Sequence, residues 1–389
     1  MQIAFNEEQQ LLKVAVERFV QDRYGAGRRK KYRAESAGYS LENWQGLADL
    51  GLLGLIFSAE DGGLGGKSRE LSAVMEALGN GLVVEPMLEQ IILAGGLLAH
   101  AGSPLQKQQW LPQVISGKTH LALAHFEHTA RFNLSDVRVR AQARSGGWVL
   151  DGEKSVVPWA GGSDQWIVSA REYGDHADPE GIGFYLVSPG GRGIERRDFY
   201  LTDGASASAI RFRGTIASGR LPGGFESFSR CVDLARLAAG AEMVGIMSAL
   251  FESTLEYLRT RKQFGAPLAS FQAIQHRLAN LYVQLEQSRS QVCRAALLLD
   301  SRSSVSCSVA GMKSYVGRAA VELGEACVHL HGGIGMSDEL DLGHGFKRLV
   351  VLAHLFGDPD TELMRFTSLR GVQSSIDAQR SAKRAELSG

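Results

Sequence analysis

The hydrophobic pattern of this chain changes twice along its length, and these changes constrain the fold. Up to residue 118, apolar residues recur at steps of three and four, which is the spacing of a helical face. From 119 to 222 the apolar runs are short, alternating and separated by turn residues, which indicates β-strands. From 223 to 389 the helical spacing returns, with a polar tail after Arg370. The sequence therefore predicts an α+β fold, mostly α, with an N-terminal helical domain, a middle antiparallel β domain and a C-terminal four-helix bundle.

The clearest strand signal in the middle zone is the run from Trp148 to Val157. Asp151 and Gly152 interrupt it, and an Asp-Gly pair suits a two-residue turn, so we predict a β-hairpin centred there. Three further runs have the alternation of strands: Gln165 to Ala170, Gly183 to Val187 and Ser208 to Phe212. Such close spacing predicts a small antiparallel sheet or barrel.

The last zone contains two helical faces with a break between them. The earlier face is made by Met243, Met247, Leu250, Thr254 and Leu258. The later face is made by Leu268, Phe271, Ile274, Leu278 and Leu281. Gly265 and Pro267 lie between the two and interrupt helical structure, which predicts a helix–turn–helix corner. The corner carries Arg261, whose guanidinium is suited to holding a phosphate through two parallel hydrogen bonds.

The charge balance and the cysteines limit the class of partner and the compartment. Lys plus Arg and Asp plus Glu each number 42, so the net charge is about zero, which argues against general nucleic-acid or anionic-membrane binding. Four cysteines without a C-x-x-C pair indicate free thiols in a reducing compartment, and no metal site is predicted. The N-terminus is polar and unlike a signal peptide, and the most apolar run, Ile91 to Ala99, is too short to cross a bilayer. We expect a cytoplasmic protein.

The corner belongs to a longer pattern that resembles a known family. Its residues R-x-Q-F-G, followed by F-Q-x-I-Q, resemble the acyl-CoA dehydrogenase family of flavoproteins. The resemblance covers nearly the whole chain and implies FAD as the cofactor and an acyl-CoA thioester as the substrate. In that family the corner reaches across a subunit interface to the FAD of a neighbour. The residues that the resemblance assigns to FAD at the corner are Arg261, Gln263, Phe264, Leu268 and Phe271.

A second stretch, HLHGGIGM from His329 to Met336, resembles the glycine motif that lies near a neighbour's FAD in the same family. It follows a helical run and not a strand, so it is not a Rossmann fingerprint. Its glycines allow the backbone to come close to a ligand. His329 stands where the family usually has Gln, and it can still form a hydrogen bond. The resemblance therefore adds His329, Gly332 and Gly333 to the FAD-binding set.

The resemblance implies α,β-dehydrogenation of an acyl-CoA, in which a carboxylate removes the α-proton while a hydride passes to the flavin. That carboxylate is missing from both positions that the family uses. The stretch L-F-G-D that ends at Asp358 puts Gly357 at the usual position, and Ala235 occupies the alternative position before Arg236. Asp358 is a candidate base, but a shift of one residue turns a helical side chain by about 100°, which counts against it.

The middle zone departs from the family where the family contacts its own flavin. A threonine–glutamate–proline stretch is replaced by Phe126-Glu127-His128, and the glycine–serine–aspartate after it is not recognisable from Thr129 to Asp136. A Trp and a Thr or Ser that face the flavin ring are replaced within V-V-P-W, where Pro158 has no N–H to donate. Trp159 is a candidate for stacking on the ring, one place along, and a buried core Trp is the alternative.

Features that serve a neighbour's FAD are therefore retained, and features that serve the chain's own FAD are changed. This asymmetry resembles the non-catalytic small subunits of bacterial heteromeric acyl-CoA dehydrogenases that degrade dicarboxylic acids or steroid side chains. We predict a subunit that completes the flavin site of a homologous chain in an α2β2 heterotetramer. Three alternatives stay open: a self-sufficient homotetramer with an unusual base, a flavin-dependent monooxygenase on the same fold, and a flavin-free binding protein.

Overall fold

The computed structural model describes residues 5–25, 27–301 and 305–371, so the predicted tail beyond residue 371 lies outside the described residues. Helices on both sides of a middle sheet confirm the predicted α+β, mostly α fold class. The last helix before the sheet ends at Ile115, and the first strand begins at Leu121. The last strand ends at Leu221, and the next helix begins at Phe225.

The N-terminal helices pack around one buried helix, α4. In chain order the elements are α1 (Glu7–Arg23), α2 (Arg28–Arg33), α3 (Leu41–Asp49), α4 (Ser68–Asn80), a π-helix (Met87–Gly95) that continues into α5 (Gly96–Ala101), and α6 (Pro104–Ile115). Helix α1 begins with a capping box, in which the side chains of Asn6 and Gln9 each accept the other's backbone N–H. Helix α4 is almost wholly buried because it packs against α1 and against the first C-terminal helix.

The middle domain is an eight-stranded sheet. Its strands are β1 (Leu121–Ala124), β2 (Arg140–Arg144), β3 (Gly147–Pro158), β4 (Gln165–Arg171), β5 (Ile182–Val187), β6 (Ile194–Tyr200), β7 (Ser206–Ile216) and β8 (Gly219–Leu221). In spatial order they run β6, β7, β3, β2, β4, β5, β8, with β1 beside β4. The three further strand predictions are confirmed, since they fall in β4, β5 and β7.

The predicted hairpin at Asp151 and Gly152 is wrong. Strand β3 continues through both residues, and its register against β7 shifts there, as at a β-bulge. Gly152 has a φ of +136°, a region that glycine adopts readily and other residues rarely do. Because the same dipeptide suits a turn and a bulge, its sequence does not distinguish them. The real hairpin turn lies earlier, between Arg144 and Gly147.

The prediction of a wholly antiparallel sheet is also wrong. Strand β1 runs parallel to β4, and β2 forms one parallel pairing with β4. Parallel neighbours need a crossover connection, and the β2–β3 hairpin lies within the connection from β1 to β4. This arrangement carries the residues after β1 toward the C-terminal helices, where Phe126 contacts Phe356.

The C-terminal helices surround α7, which is the central helix of the protein. They are α7 (Phe225–Thr260), α8 (Gln272–Asp300), α9 (Val305–His331), α10 (Asp341–His354) and α11 (residues 359–371). The predicted face of α7, from Met243 to Leu258, is buried because α7 packs against α4, α8 and α9. Among the described residues, α7 alone is long and apolar enough to cross a membrane, but 83% of its most apolar window is buried in the protein. That burial is the environment of a core helix.

The predicted corner between α7 and α8 is a small β-hairpin. Two short strands, β9 (Lys262–Gln263) and β10 (Ala266–Pro267), pair in antiparallel fashion. Phe264 and Gly265 at the tip have φ angles of +54° and +79°, and both are positive as a type I′ turn requires.

The predicted later face is only partly helical. Helix α8 begins at Gln272, so Leu268 and Phe271 precede it and belong to the connection from the hairpin. Leu278 and Leu281 lie in α8 and are buried, as predicted. The prediction was wrong for Leu268 and Phe271 because these two apolar residues of the connection have the same three-residue spacing as the helix that follows.

Candidate functional site

The hairpin between α7 and α8 presents its polar side chains outward. The Arg261 N–H donates to the Tyr257 carbonyl at 2.8 Å, and the Arg261 carbonyl accepts from the Leu268 N–H at 2.9 Å. Arg261 and Gln263 are exposed, and the Phe264 ring is 90% exposed with its edge against Phe271. The backbone of this corner is therefore fixed, and its guanidinium is exposed to a ligand or another chain, while the Gln263 amide nitrogen donates to the Lys262 carbonyl at 2.9 Å.

The glycine motif after α9 lies beside this corner. His331, the last residue of α9, stacks on the Tyr257 ring at 4.4 Å between ring centroids, one turn before Arg261. An Arg277 guanidinium nitrogen lies 2.7 Å from Nδ1 of His329 and ties α8 to α9. The structure thus brings the two predicted FAD-binding stretches together at one end of the C-terminal bundle.

The glycines of this motif leave their backbone open. Gly332 has a φ of +67°, which ends α9 in the left-handed conformation. A Cβ added at Gly332 or at Gly333 would meet no atom within 4 Å. The exposed side chains of Ile334 and Met336 flank the glycines. An external group can therefore approach the backbone here at close range.

The two positions that the resemblance assigns to a catalytic base, Ala235 and Gly357, are linked through Arg236. Ala235 is buried in α7, and the adjacent Arg236 donates from Nε and a terminal nitrogen to the Phe356 carbonyl, at 3.0 and 2.7 Å. Gly357 directly follows Phe356 and is buried. Neither Ala235 nor Gly357 has a side chain that can take a proton.

A carboxylate from elsewhere in the chain fills the space beside Gly357. A Cβ added at Gly357 would overlap Oε1 of Glu362, which is fully buried in α11. Glu362 pairs with Arg236 at 2.8 Å and with Arg365 at 3.3 Å, and both arginines also pair with Asp233. Glu362 was not predicted from the sequence. The signal that could have indicated it is a pair of opposite charges three residues apart in each helix, Asp233 and Arg236 in α7 and Glu362 and Arg365 in α11.

Glu362 is held as a counter-ion, which does not suit a base. A base must be free to face the proton that it removes, and the two carboxylate oxygens of Glu362 are engaged by Arg236 and Arg365. The ion-pair network of Asp233, Arg236, Glu362 and Arg365 is therefore a structural element. It fixes the loop from α10 to α11 in place.

Asp358, the candidate base, caps α11. Its carboxylate accepts the Thr361 N–H at 2.7 Å, as an N-cap residue does. Partial burial raises the pKa of Asp358, but hydrogen bonds from Thr361 outweigh burial, and the pKa is lowered. A carboxylate with a lowered pKa that is engaged in a cap is a poor proton acceptor, so the structure does not support Asp358 as the base.

Lys313 on α9 holds the same loop from the other side. Its ammonium donates to the carbonyls of Ala353 and Gly357, at 2.7 and 2.9 Å, and it is fully buried. Burial lowers the pKa of Lys313 from 10.5 to about 7, against the opposing effect of Glu362. This buried ammonium makes the fold sensitive to pH.

Lys313 should make the protein more stable as the pH rises above 7. Its pKa is about 7 in the folded chain, so between about 7 and 10.5 the unfolded chain binds more protons. We expect the free energy of unfolding, from urea titrations, to rise between pH 7 and 9 by on the order of 2 kcal/mol more in the wild type than in Lys313→Met. The exposed Lys347→Met is the control and should follow the wild type. Parallel profiles for wild type and Lys313→Met would contradict this role.

The middle-domain residues that replace the family's flavin contacts have structural roles. Glu127 is buried and accepts from the backbone N–H groups of Arg138 and Val139, at 2.9 and 3.1 Å. Its third partner is the ammonium of Lys154 at 2.7 Å. Burial lowers the pKa of Lys154 to about 8, and Glu127 opposes that shift. Glu127 therefore organises the strand edge from within the sheet.

Trp159 is a core residue. It is 3% exposed and has a φ of +60°, which turns its ring toward the N-terminal domain. The ring lies edge-on to Tyr39 at 5.4 Å and beneath the Arg33 guanidinium at 5.4 Å. The core alternative for Trp159 is thus the one that the structure supports. Within the described ranges, no cluster of three or more His, Cys, Asp or Glu is arranged to hold a metal ion.

Comparison with known proteins gives the family. The N-terminal domain model of acyl-CoA dehydrogenases matches residues 6–118, and the C-terminal domain model matches residues 222–367. Because these matches cover most of the chain, the chain belongs to the acyl-CoA dehydrogenase family. The predictions of the family, of an oxidoreductase and of a flavoprotein fold that uses FAD are confirmed.

Individual relatives share moderate sequence identity over most of their length. Acyl-CoA dehydrogenase FadE27 of Mycobacterium tuberculosis is 29% identical over 310 residues, which span 77% of this chain and 80% of FadE27. The ChsE4–ChsE5 complex of Mycobacterium tuberculosis contains a chain with a TM-score of 0.84 and 26% identity, matched over 95% of this chain and 98% of that one. PigA, solved with FAD and proline, has a TM-score of 0.89 at 24% identity, over 96% and 100% of the two chains, and so shows the fold.

Proposed function

We propose that this chain is one subunit of a heteromeric FAD-dependent acyl-CoA dehydrogenase and that it completes the flavin site of a homologous partner. The proposal rests on one asymmetry: the residues that would contact a neighbour's FAD are present, and the carboxylate base is not at either expected position. The corner at Arg261 and the glycines at 332 and 333 are intact, adjacent and open to another chain. The two base positions hold Ala235 and Gly357, and the Asp358 carboxylate is engaged in a helix cap.

The residues of the corner have distinct parts in this proposal. The Arg261 guanidinium would pair with a phosphate of the partner's FAD by charge-assisted hydrogen bonds. The amide of Gln263 and the ring of His329 would hydrogen-bond, and the backbone at Gly332 and Gly333 would allow close approach. The rings of Phe264 and Phe271 with Leu268 would form the apolar contact. When bound, FAD accepts the hydride from the acyl-CoA.

The partner chain would supply the carboxylate base for the α-proton. The resemblance implies a fatty-acid or steroid side-chain thioester as the substrate. A relative of this chain was solved as the ChsE4–ChsE5 complex, which supports a partner of the same family. The four cysteines are free thiols, which supports assembly in the reducing cytoplasm.

The self-sufficient alternative loses support because no free carboxylate is available to act as the catalytic base. A self-sufficient homotetramer needs a carboxylate of its own, and Asp358 and Glu362 are both engaged in structural contacts. A monooxygenase would need no such base, and its mark would be oxygen consumption by the reduced flavin. A flavin-free binding protein would leave the exposed corner without a ligand.

Flavin content should depend on the partner and on Arg261. Expressed alone, the chain is expected to be colourless, and co-purified with a homologous chain that carries the catalytic glutamate, the complex should hold half an FAD per chain. Arg261→Ala should weaken FAD retention roughly 10- to 150-fold, because a hydrogen bond to a charged group contributes about 1.5–3 kcal/mol. FAD is measured by absorbance after equilibrium dialysis. Arg259→Ala, an exposed arginine one half-turn earlier, is the control and should retain FAD.

Two results would contradict the proposal. A lone chain that holds one FAD and oxidises an acyl-CoA would establish the self-sufficient alternative. Equal FAD retention by the Arg261→Ala and Arg259→Ala complexes would remove the corner from the flavin site.

A further inference from the structure

Two aromatic rings meet where the family resemblance places this chain's own flavin and substrate. Phe126 follows β1 in the middle domain, and Phe356 lies in the loop between α10 and α11. Their ring centroids are 6.1 Å apart, and their planes are inclined by 30°, which is a stacked arrangement. The pair therefore bridges the middle domain and the C-terminal helices.

Hydrogen bonds hold the backbone at both phenylalanines. The Phe126 carbonyl accepts from the N–H and the hydroxyl of Ser155, at 2.8 and 3.2 Å, and Phe126 also pairs with Val156. Arg236 donates twice to the Phe356 carbonyl. Phe356 has a φ of +64°, which a bulky residue adopts only where its surroundings enforce it. The stacked pair is therefore a built feature of the loop and the strand edge.

The spacing of the rings leaves no room for a third. A flat ring between two others needs about 7 Å between the outer rings, which is twice the contact distance of about 3.5 Å for carbon atoms. The Phe126–Phe356 separation of 6.1 Å is shorter. The neighbouring contacts do not fit a flavin either, because Pro158 has no N–H to donate and Trp159 faces the N-terminal domain.

We propose that the Phe126–Phe356 pair closes this chain's own half-site, so that it binds neither a flavin ring nor an acyl thioester. The inference rests on the proposed function and adds a cause for it. The heteromer holds one FAD for two chains because these two side chains occupy the second position. Arg236 and Lys313 act as positioning residues, since they hold the backbone that carries Phe356.

Opening the pair tests the inference in the complex with the partner chain. Phe126→Thr combined with Phe356→Ala should raise FAD from half toward one per chain, measured by absorbance after denaturation and protein quantitation. Phe366→Ala removes a partly buried phenylalanine of α11 whose ring lies against Gly311 of α9, and it should leave the content at one half. Circular dichroism and co-elution with the partner show that each variant is folded and assembled. If the double variant does not assemble, Phe126→Thr alone must show the rise.

The results separate this inference from the proposed function. A wild-type complex with one FAD per chain would overturn the closed half-site. If Arg261→Ala then removed half of that FAD, the proposed function would still stand. An assembled double variant, or Phe126→Thr in its place, that stays at one half would also overturn the closed half-site. A rise in FAD in the opened variant and not in Phe366→Ala supports it.

Discussion

Glu362→Gln is expected to lower the free energy of unfolding by about 3–5 kcal/mol, because it leaves buried cations without their carboxylate. Glu362 is fully buried and pairs with Arg236 and Arg365. After the substitution, Asp233 would have to balance both guanidiniums. The buried Lys313 also lies close enough to be influenced by the Glu362 charge. Glutamine preserves the size of the side chain, so the loss reports the charge.

The control is Asp360→Asn in the same helix. Asp360 pairs with Arg318 at 2.8 Å, but its side chain is 85% exposed, so the change should stay within about 0.5 kcal/mol. Equilibrium urea unfolding measures both, and the midpoint should fall for Glu362→Gln with little change in slope. A small and equal effect of the two substitutions would mean that Glu362 does not balance the buried arginines.

The same network leaves no space for a side chain at Gly357. A side chain there would overlap the Glu362 carboxylate, and the backbone has a φ of +136°. Glu362 and the Phe126–Phe356 pair are thus parts of one arrangement. Glu362 occupies the space beside Gly357, and Phe356, the residue before Gly357, stacks on Phe126.

The helices were predictable where burial is one-sided. Leu250, Thr254 and Leu258 repeat at helical spacing because only one side of this end of α7 is buried, whereas α7 is buried on all sides from Ala235 to Ser248. The predicted hairpin at Asp151 and Gly152 was wrong because a glycine with positive φ, such as Gly152, occurs in a β-bulge as well as in a turn. The prediction that Leu268 and Phe271 lie on a helical face was wrong because the spacing of apolar residues does not show where a helix starts. The local sequence pattern predicts whether a segment is a helix or a strand. Tertiary contacts decide at which residues that segment begins and ends.

The site divides in the same way. The corner at Arg261 and the glycines at 332 and 333 could be predicted as candidates because each is a contiguous stretch of sequence, and their contact with FAD stays a prediction. Glu362 and the Phe126–Phe356 pair were missed because they arise from contacts between distant parts of the chain. The residues around Phe126 and around Phe356 give no local signal that the two rings will stack. The glycine at position 357 was visible in the sequence, but the Glu362 carboxylate that lies beside it was not.

Gly245→Ala is expected to lower the free energy of unfolding by about 3 kcal/mol, although alanine favours helices over glycine by about 1 kcal/mol. Helices α4 and α7 cross at Gly245, where an added Cβ would overlap the carbonyl oxygen of Glu76 and lie 2.7 Å from the Asn80 nitrogen. Both obstacles are backbone atoms, so the helices must move apart. A Cβ at Gly79 on the facing helix would overlap the Glu242 carbonyl, so the crossing is close from both sides.

Gly240→Ala, one turn and a half earlier in α7, is the matched control. A Cβ there would meet the end of the Met312 side chain, which is flexible and can rearrange. The two variants gain the same helix propensity, so the difference between their urea midpoints measures how much more the backbone overlap at Gly245 costs than the rearrangement of Met312. Similar midpoints would mean that α4 and α7 lie further apart than described. The crossing then could not fix the N-terminal domain against the bundle that carries the Arg261 corner.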